Sequence, residues 1–168
     1  MDALLKAALN DQANHEFFAA QSYEAMAIWC SDQDYNGFAR YFLQQADEER
    51  AHARRFLGHL DDRSVMPELV ALAAPRSAFA SLTEIALHAQ ALELANSEKI
   101  YHCYRIATDT GYLPSLPFLL EFIDEQNEEE SWTNTLVQLT KRADCPGSAF
   151  DLDRHIEKEL AKATAEPA

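Results

Sequence analysis

Residues 49–52 read Glu-Arg-Ala-His, and the rest of the chain is best understood from these four residues outward. Residues three apart on an α-helix share one face, so Glu49 and His52 point in the same direction. A carboxylate and an imidazole side by side form half of a transition-metal site. A single copy of this pattern also occurs on ordinary solvated helices, so the inference depends on the acids that the other helices carry.

Composition favours one acidic, all-α domain. The chain has 168 residues, of which 48% are hydrophobic, enough to bury a substantial core. It contains only four glycines and six prolines, and its long segments without a helix breaker favour helices over strands. The net charge of −14 disfavours nucleic acid and anionic membranes as partners and favours cations.

Cysteine usage and hydropathy predict a cytoplasmic location. The three cysteines form no Cys-x-x-Cys pair, which fits a reducing compartment. The sequence shows no signal-peptide pattern and no apolar run long enough to span a membrane. We therefore expect no membrane partner.

Four segments repeat mostly apolar side chains at steps of three and four residues, the pattern of helices that face a bundle core. The first two are predicted over residues 1–30 and 35–60. Ser81-Leu82-Thr83-Glu84 has the form of a capping box that opens the third helix, and Gly111 closes it. Pro114 and Pro117 suit the first turn of the fourth helix, which ends at the break Cys145-Pro146-Gly147.

The connections predict a four-helix bundle with a long crossover. Residues 61–80 contain two prolines and few helix signals, and 20 extended residues reach up to roughly 66 Å. A helix of 26 residues is roughly 39 Å long, so this crossover can start the third helix parallel to the second. A short fifth helix capped by Ser148 is predicted over residues 149–162. Residues 1–162 then form a single domain, and residues 163–168 a flexible tail.

Each of the four helices carries metal-type side chains at the middle of its inward stripe: Glu16, then Glu49 with His52, then Glu93, then Gln126 with Glu129. Buried acids without partners cost more free energy than a domain can spare, so they require protons or cations. No Lys or Arg occurs between Arg105 and Lys141, which favours a metal as the counter-ion. Oxygen-rich ligation with one imidazole suits iron or manganese better than zinc.

This pattern resembles the di-iron carboxylate bundles and, more closely, the bacterial non-haem ferritins. The resemblance covers nearly the whole chain, and its motifs are 14–17 (Asn-His-Glu-Phe), 21–23 (Gln-Ser-Tyr), 28–30 (Ile-Trp-Cys), 48–52 (Glu-Glu-Arg-Ala-His) and 125–129 (Glu-Gln-Asn-Glu-Glu). A bacterioferritin is expected to carry His at position 129 and a haem-ligating Met at position 50, where this chain has Glu and Arg. The resemblance therefore implies iron without haem. Starved-cell mini-ferritins lack the fifth helix and fit poorly.

The resemblance also implies a role for each site residue. Glu16, Glu49 and His52 would hold one iron, and Glu49 would bridge to a second. The second iron would be held by Glu93 and Glu129, with Gln126 beside it. The remaining expected participants are Tyr23, as a hydrogen-bond partner of a ligand carboxylate or an electron donor, and the third-site acids Glu48, Glu125 and Glu128. The plainer alternatives are a core tyrosine and a solvated acidic face.

The implied function is that of a ferroxidase and iron store. Two Fe(II) ions would be oxidised by O2 or H2O2, and the ferric product would be kept in the hollow of a homo-24-mer shell. Residues 113–120 supply no acid, so the route by which iron would reach the shell interior is open. Two alternatives remain at this point: a di-iron oxidase or peroxide scavenger without storage, such as a rubrerythrin-like protein, and a metal-free acidic helical scaffold.

Overall fold

The long segments without breakers form helices in the computed structural model, which describes the backbone of residues 1–163 and the side chains of residues 1–159. The elements are, in order, α1 (Ala3–Asp32), α2 (Asn36–Asp61), α3 (Leu82–Asp109), a 3-10 turn (Leu113–Ser115), α4 (Leu116–Arg142) and α5 (Pro146–Ala163). No strand occurs in these residues, so the all-α prediction is confirmed. The tail that was predicted over 163–168 lies, from residue 164 onward, outside the described residues.

Two apolar clusters fill the two ends of the bundle, and a polar layer separates them. One cluster joins the C-terminal half of α1 to the N-terminal halves of α2 and α3, with Tyr23, Phe42 and Ile85 among its buried members. The other joins the N-terminal half of α1 to the C-terminal half of α2, with Leu9 and Phe56 among its members. Because apolar burial at both ends stabilises the bundle, the fold can carry polar side chains in between.

The crossover between α2 and α3 runs along α1 from one end of the bundle to the other. Asn14 of α1 holds its first part, donating from Nδ2 to the carbonyl of Glu68 at 2.8 Å. Further along, Phe79 packs edge-on against Trp29 near the end of α1, with 6.1 Å between ring centroids. The chain therefore returns to the end at which α2 began, and α3 runs parallel to α2 as the linker length predicted.

Both predicted ends of α3 are confirmed. Ser81 is the N-cap, and its hydroxyl accepts a hydrogen bond from the N–H of Glu84 at 3.2 Å. The Glu84 carboxylate accepts from the N–H of Ala80 at 2.5 Å, one residue before the usual position in a capping box. At the other end, Gly111 has a φ of 65°, the left-handed conformation with which helices commonly end.

The start of α4 differs slightly from the prediction. Pro117 occupies the second position of the helix, as expected, whereas Pro114 lies in the separate 3-10 turn before it. Both places suit proline, because the first N–H groups of a helix have no partner within it.

The start of α5 was predicted wrongly. The helix begins at Pro146, three residues earlier than expected, and Ser148 is not its N-cap. A proline is favourable at the first helical position, since its φ is already helical and its missing N–H costs nothing there. The Ser148 hydroxyl instead donates to the carbonyl of Cys145 at 2.9 Å. Gly147 therefore lies inside the helix and not in a break.

Asp153, an acid of α5 that is only 5% exposed, fixes α5 to the start of α2. Its Oδ1 accepts a hydrogen bond from the N–H of Phe38 at 2.9 Å. This donor belongs to the first turn of α2, where the N-cap Tyr35 supplies no side-chain bond. Gly37 permits the close approach, because a Cβ at this position would lie 2.0 Å from the carbonyl oxygen of Asp153.

None of the described helices combines the length and the apolar character that crossing a membrane requires.

Candidate metal centre

The inward stripes of α1 to α4 place their polar residues in one layer at mid-height. Glu16, Glu49 and Glu93 come from three different helices and are 0%, 2% and 1% exposed. Gln126 of α4 is equally buried, and the fourth acid, Glu129, lies half-buried at the edge of the layer. Carboxyl groups from four helices thus meet in a region from which water is largely excluded.

Three of these side chains form the closest cluster. Glu16, Glu49 and His52 each offer one ligand atom, and the three atoms lie within 4.8 Å of one another. Across residues 1–159, no other group of three or more His, Cys, Asp or Glu side chains is this close. The ring of His52 packs edge-on against Phe122, and its Nδ1 lies 3.5 Å from Glu49 Oε2.

The free oxygen of Glu49 is the strongest sign that this cluster fits a cation. Glu49 Oε2 is buried and has no hydrogen-bond partner, although buried polar atoms in folded proteins are nearly always paired. A metal ion among two carboxylates and one imidazole would satisfy it. This donor set suits iron or manganese, because most of its atoms are hard oxygens.

The other half of the layer is organised around Glu93. The hydroxyl of Tyr23 donates a short hydrogen bond to Glu93 Oε1, the type of contact that the sequence suggested for this tyrosine. Gln126 Nε2 donates to Glu93 Oε2 at 3.1 Å. The negative charges of Glu93 and Glu129 raise the pKa of Glu49, so both residues lie near this cluster. They do not belong to the close group of three.

Burial raises the pKa values of all four acids of the layer. It raises the pKa of Glu16 well above its usual range, and the nearby Glu49 carboxylate raises it further. Burial likewise raises the pKa values of Glu49 and Glu93. For Glu129, burial and the neighbouring charges of Glu93 and Glu48 raise the pKa to about 7. Burial in this layer therefore favours the protonated form of these groups, and a bound cation would favour the carboxylates.

Arg55 is a residue that the sequence analysis missed. The absence of Lys and Arg from most of α4 suggested that its acids had no basic partner. In the structure, Arg55 of α2 reaches across, with Nη1 2.8 Å from Glu125 Oε1 and Nη2 2.8 Å from Glu121 Oε2. Because Arg55 belongs to α2, the sequence of α4 alone could not reveal this partner. Among the described residues, however, no Lys or Arg forms an ion pair with the four acids of the layer.

The three acids predicted for a third site are not brought together as one cluster. Glu125 is held by Arg55 and lies 3.4 Å from His52 Nε2, on the side of the Glu16–Glu49–His52 group. Glu48 is half-buried and accepts a hydrogen bond from Gln44 at 2.9 Å. Glu128 is exposed, and its negative charge contributes to the raised pKa of Glu129. A third iron site in this region remains a prediction.

Two buried amides complete the layer, and the sequence analysis gave them no role. Gln12 and Asn96 stand in the inward stripes of α1 and α3, and each is 1% exposed. Gln12 lies one helical turn before Glu16, and Asn96 lies one turn after Glu93. Their positions in the stripes were the available signal for burial, but the contacts of Asn96 with Gln12 and Glu16 depend on the packing of α1 against α3.

Arg50 occupies the position at which a bacterioferritin would carry its haem ligand. Its guanidinium forms ion pairs with Asp47, at 2.8 Å, and with Glu24. These contacts engage the side chain with acids of α1 and α2. The prediction that no haem binds here remains a prediction.

Comparison with known proteins identifies relatives over almost the whole chain. The model of the ferritin-like domain matches residues 6–143. A bacterial non-heme ferritin of Staphylococcus aureus (strain USA300) is 38% identical over 157 residues, covering 94% of this chain and 93% of the relative. A bacterial non-heme ferritin of Staphylococcus haemolyticus (strain JCSC1435) is 39% identical over 154 residues, covering 92% and 91%.

The fold has a close match among solved structures. An open pore ferritin from the hyperthermophilic archaeon Archaeoglobus fulgidus superimposes with a TM-score of 0.90, covering 94% of this chain and 98% of that chain. The two sequences are 24% identical, so this comparison bears on the fold alone.

Proposed function

This chain belongs to the ferritin family, and from that premise we propose that it is a ferroxidase that stores iron. Its substrate is Fe(II), which it binds in the polar layer and oxidises to Fe(III). The observation that carries the proposal is the close group of Glu16, Glu49 and His52, with the unpartnered Glu49 Oε2 inside a buried layer of acids.

The proposed ligands divide into two sets that share Glu49. Glu16, Glu49 and His52 bind the first iron. Glu49 bridges to a second iron, bound by Glu93 and Glu129. Gln126 lies beside this second position and Tyr23 positions Glu93 through its hydroxyl. Carboxylates are hard donors, so they stabilise Fe(III) relative to Fe(II) and favour the loss of an electron from each ion.

The electron count requires an acceptor that takes two electrons from the pair of irons. Two Fe(II) ions and two protons convert O2 to H2O2, or convert H2O2 to two water molecules. The raised pKa values of the carboxyl groups mean that iron binding releases protons close to where the oxidant is reduced. The ferric product would then move into the hollow of a homo-24-mer shell in the cytoplasm, with no haem involved.

An iron titration combined with native mass measurement tests the proposal. Fe(II) is added aerobically, near-ultraviolet absorption follows the formation of Fe(III), and the mass gives the number of chains and the retained iron. We expect rapid oxidation and a large assembly that keeps its iron. Oxidation with release of iron would indicate an oxidase or peroxide scavenger without storage, and an assembly that oxidises nothing would indicate a metal-free scaffold.

The third site can be tested by replacing Glu48 and Glu128 together with alanine. A site built from half-buried and exposed acids binds iron more weakly than the buried pair, because water competes for its ligands. We expect the first rapid oxidation of two irons to be intact, while later turnover changes. Crystals soaked in Fe(II) should show three irons per subunit in the unmodified protein and two in the variant.

Glu98→Ala is the control for this experiment, since Glu98 is an exposed acid of α3. If the unmodified protein itself shows only two irons after the soak, Glu48, Glu125 and Glu128 form a solvated face and no third site exists.

The raised pKa values also predict how the stability of the metal-free protein depends on pH. Between about pH 4.5 and 7, Glu129 keeps a proton in the folded protein that the unfolded chain has lost. Glu49 does the same up to about pH 8. The native state then binds more protons than the unfolded state, so the free energy of unfolding falls as pH rises. Half-buried His15 and buried His59, whose pKa values are lowered to about 4, act oppositely, and their effect fades as pH rises above the unfolded pKa of about 6.5.

Thermal unfolding at pH 6.5 and pH 8 measures this dependence in a range where most of the opposing histidine contribution is already complete. The melting temperature of the metal-free protein should be lower at pH 8, and Co(II) should raise it more at pH 8 than at pH 6.5. Glu129→Gln should flatten the pH dependence, since its amide does not titrate. A melting temperature that is constant or higher at pH 8 would contradict the assignment of a proton-loaded layer.

A further inference from the structure

A network of carboxamide side chains lies against the metal centre on its α1, α3 and α4 side. Gln12, Asn96 and Gln126 are each 1% exposed, and they come from three different helices. Only Gln126 was expected near iron. The other two are not ligands in the arrangement proposed above.

Both oxygens of the Glu16 carboxylate are held by this network. Gln12 Nε2 donates to Glu16 Oε1 at 2.7 Å, and Asn96 Nδ2 donates to Glu16 Oε2 at 3.1 Å. Gln12 Nε2 also donates to Asn96 Oδ1 at 2.5 Å, so the three side chains form a closed ring between α1 and α3. A carboxylate held at both oxygens has a fixed orientation.

The same network continues to the other half of the layer. Asn96 Nδ2 lies 3.5 Å from Gln126 Oε1, and Gln126 Nε2 donates to Glu93 Oε2 at 3.1 Å and to Ser97 Oγ at 3.2 Å. An unbroken chain of hydrogen bonds therefore joins Glu16, a ligand of the first iron, to Glu93, a ligand of the second.

The chemistry of the amide group suits this position. A Lys or Arg would orient Glu16 equally well, but its positive charge would repel the incoming cation. An amide donates hydrogen bonds without adding charge, so the carboxylate keeps its attraction for a metal ion. The arrangement has a cost, because Gln12 Oε1 is buried without a partner.

We propose that Gln12 and Asn96 are positioning residues, which hold the Glu16 carboxylate in the orientation that binds the first iron and couple it through Gln126 to Glu93. This inference rests on the proposed function. It adds two residues that touch neither iron nor oxidant to the set on which metal binding depends.

Two buried asparagines provide a matched pair of variants. Asn96→Ala removes the amide that touches Glu16. Asn14→Ala removes the same atoms from a buried asparagine of α1 whose partners are the carbonyl of Asn10 in α1 and, in the crossover, the carbonyl of Glu68 and the N–H of Val70. Both variants lose buried hydrogen bonds and should be less stable, but only Asn96→Ala loses a contact to a ligand.

Titration with Co(II), followed by its visible absorption, is the readout that a purely structural role would not change. We expect Asn96→Ala to weaken binding of the first Co(II) by roughly 10- to 100-fold, the usual effect of losing an outer-shell partner of a metal ligand. Asn14→Ala should bind Co(II) as the unmodified protein does. Gln12→Met keeps the volume of the side chain, should also weaken binding, and decides the question if Asn96→Ala does not fold.

The outcomes separate this inference from the proposed function. If Co(II) binding depends on Glu49 but is unchanged in both Asn96→Ala and Gln12→Met, the positioning role is wrong and the metal centre stands. Equal weakening in Asn14→Ala would also overturn the positioning role, because it would show a general effect of stability. If the unmodified protein binds no Co(II) in a manner that depends on Glu49, both the proposed metal centre and this inference are wrong.

Discussion

Replacing Glu49 by alanine is expected to slow the rapid oxidation of Fe(II) by more than about 100-fold, since losing even an outer-shell partner of a metal ligand costs roughly 10- to 100-fold. Glu49 belongs to the close group with Glu16 and His52, and it is the proposed bridge to the second iron. Its loss would therefore remove a ligand from both ions. Rapid mixing of the protein with Fe(II) in the presence of O2 measures the initial rate directly.

The Glu49→Ala variant should still fold and assemble. In the metal-free protein, burial and the charges of Glu93 and Glu129 raise the pKa of Glu49, which means that this position disfavours a charge. Removing the acid relieves this repulsion, although it leaves a small cavity. Native mass measurement should show the same assembly as the unmodified protein.

Glu98→Ala is the appropriate control here too, because it removes an acid from the exposed side of α3. Its oxidation rate should equal that of the unmodified protein. An unchanged initial rate in Glu49→Ala would refute the assignment of the metal centre, whatever the rate of the control.

Replacing Gly37 by alanine is expected to destabilise the protein by about 1–3 kcal/mol or more, the usual cost of overpacking a tight contact. The added Cβ would lie 2.0 Å from the carbonyl oxygen of Asp153, a backbone atom that no change of rotamer can move away. The helices α2 and α5 would have to separate, and the bond from the N–H of Phe38 to Asp153 Oδ1 would weaken. Chemical denaturation and limited proteolysis near α5 would detect both effects.

Gly58→Ala provides a control with the opposite expected sign. Gly58 lies in the same helix, and a Cβ there would meet nothing within 4 Å. Because glycine lowers helix stability relative to alanine, this variant should be more stable by about 0.5–1 kcal/mol. A Gly37→Ala variant as stable as the unmodified protein would mean that α5 does not pack against α2 as closely as the structure shows.

The sequence by itself determined the existence of the helices and the inward faces of α1 to α4, although not the start of α5. The apolar steps of three and four are a local property of the chain, and they placed Glu16, Glu49 and Glu93 on inward faces before any packing was known. Ser81 and Gly111 marked the ends of α3 because caps act through the backbone of a few neighbouring residues. The length of the crossover was sufficient to fix the direction of α3.

Only the tertiary structure decided which of the buried side chains touch. Gln12 and Asn96 were visible as polar residues in two stripes, but Asn96 contacts Glu16 across 80 positions and Gln12 across 84. Arg55 neutralises acids on α4 from 66 and 70 positions away.

The contact between Gly37 and Asp153 shows most clearly what the sequence alone could not predict. In the sequence, Gly37 is a glycine near the start of a helix, where it does little harm. In the structure it is the place where α5 comes into contact with α2, across 115 positions between Phe38 and Asp153. Periodicity and caps depend on residues within a turn or two of each other, so a sequence displays them directly. The contact of Asn96 with Glu16 and the contact that holds α5 depend on how whole helices pack, and no local pattern records that.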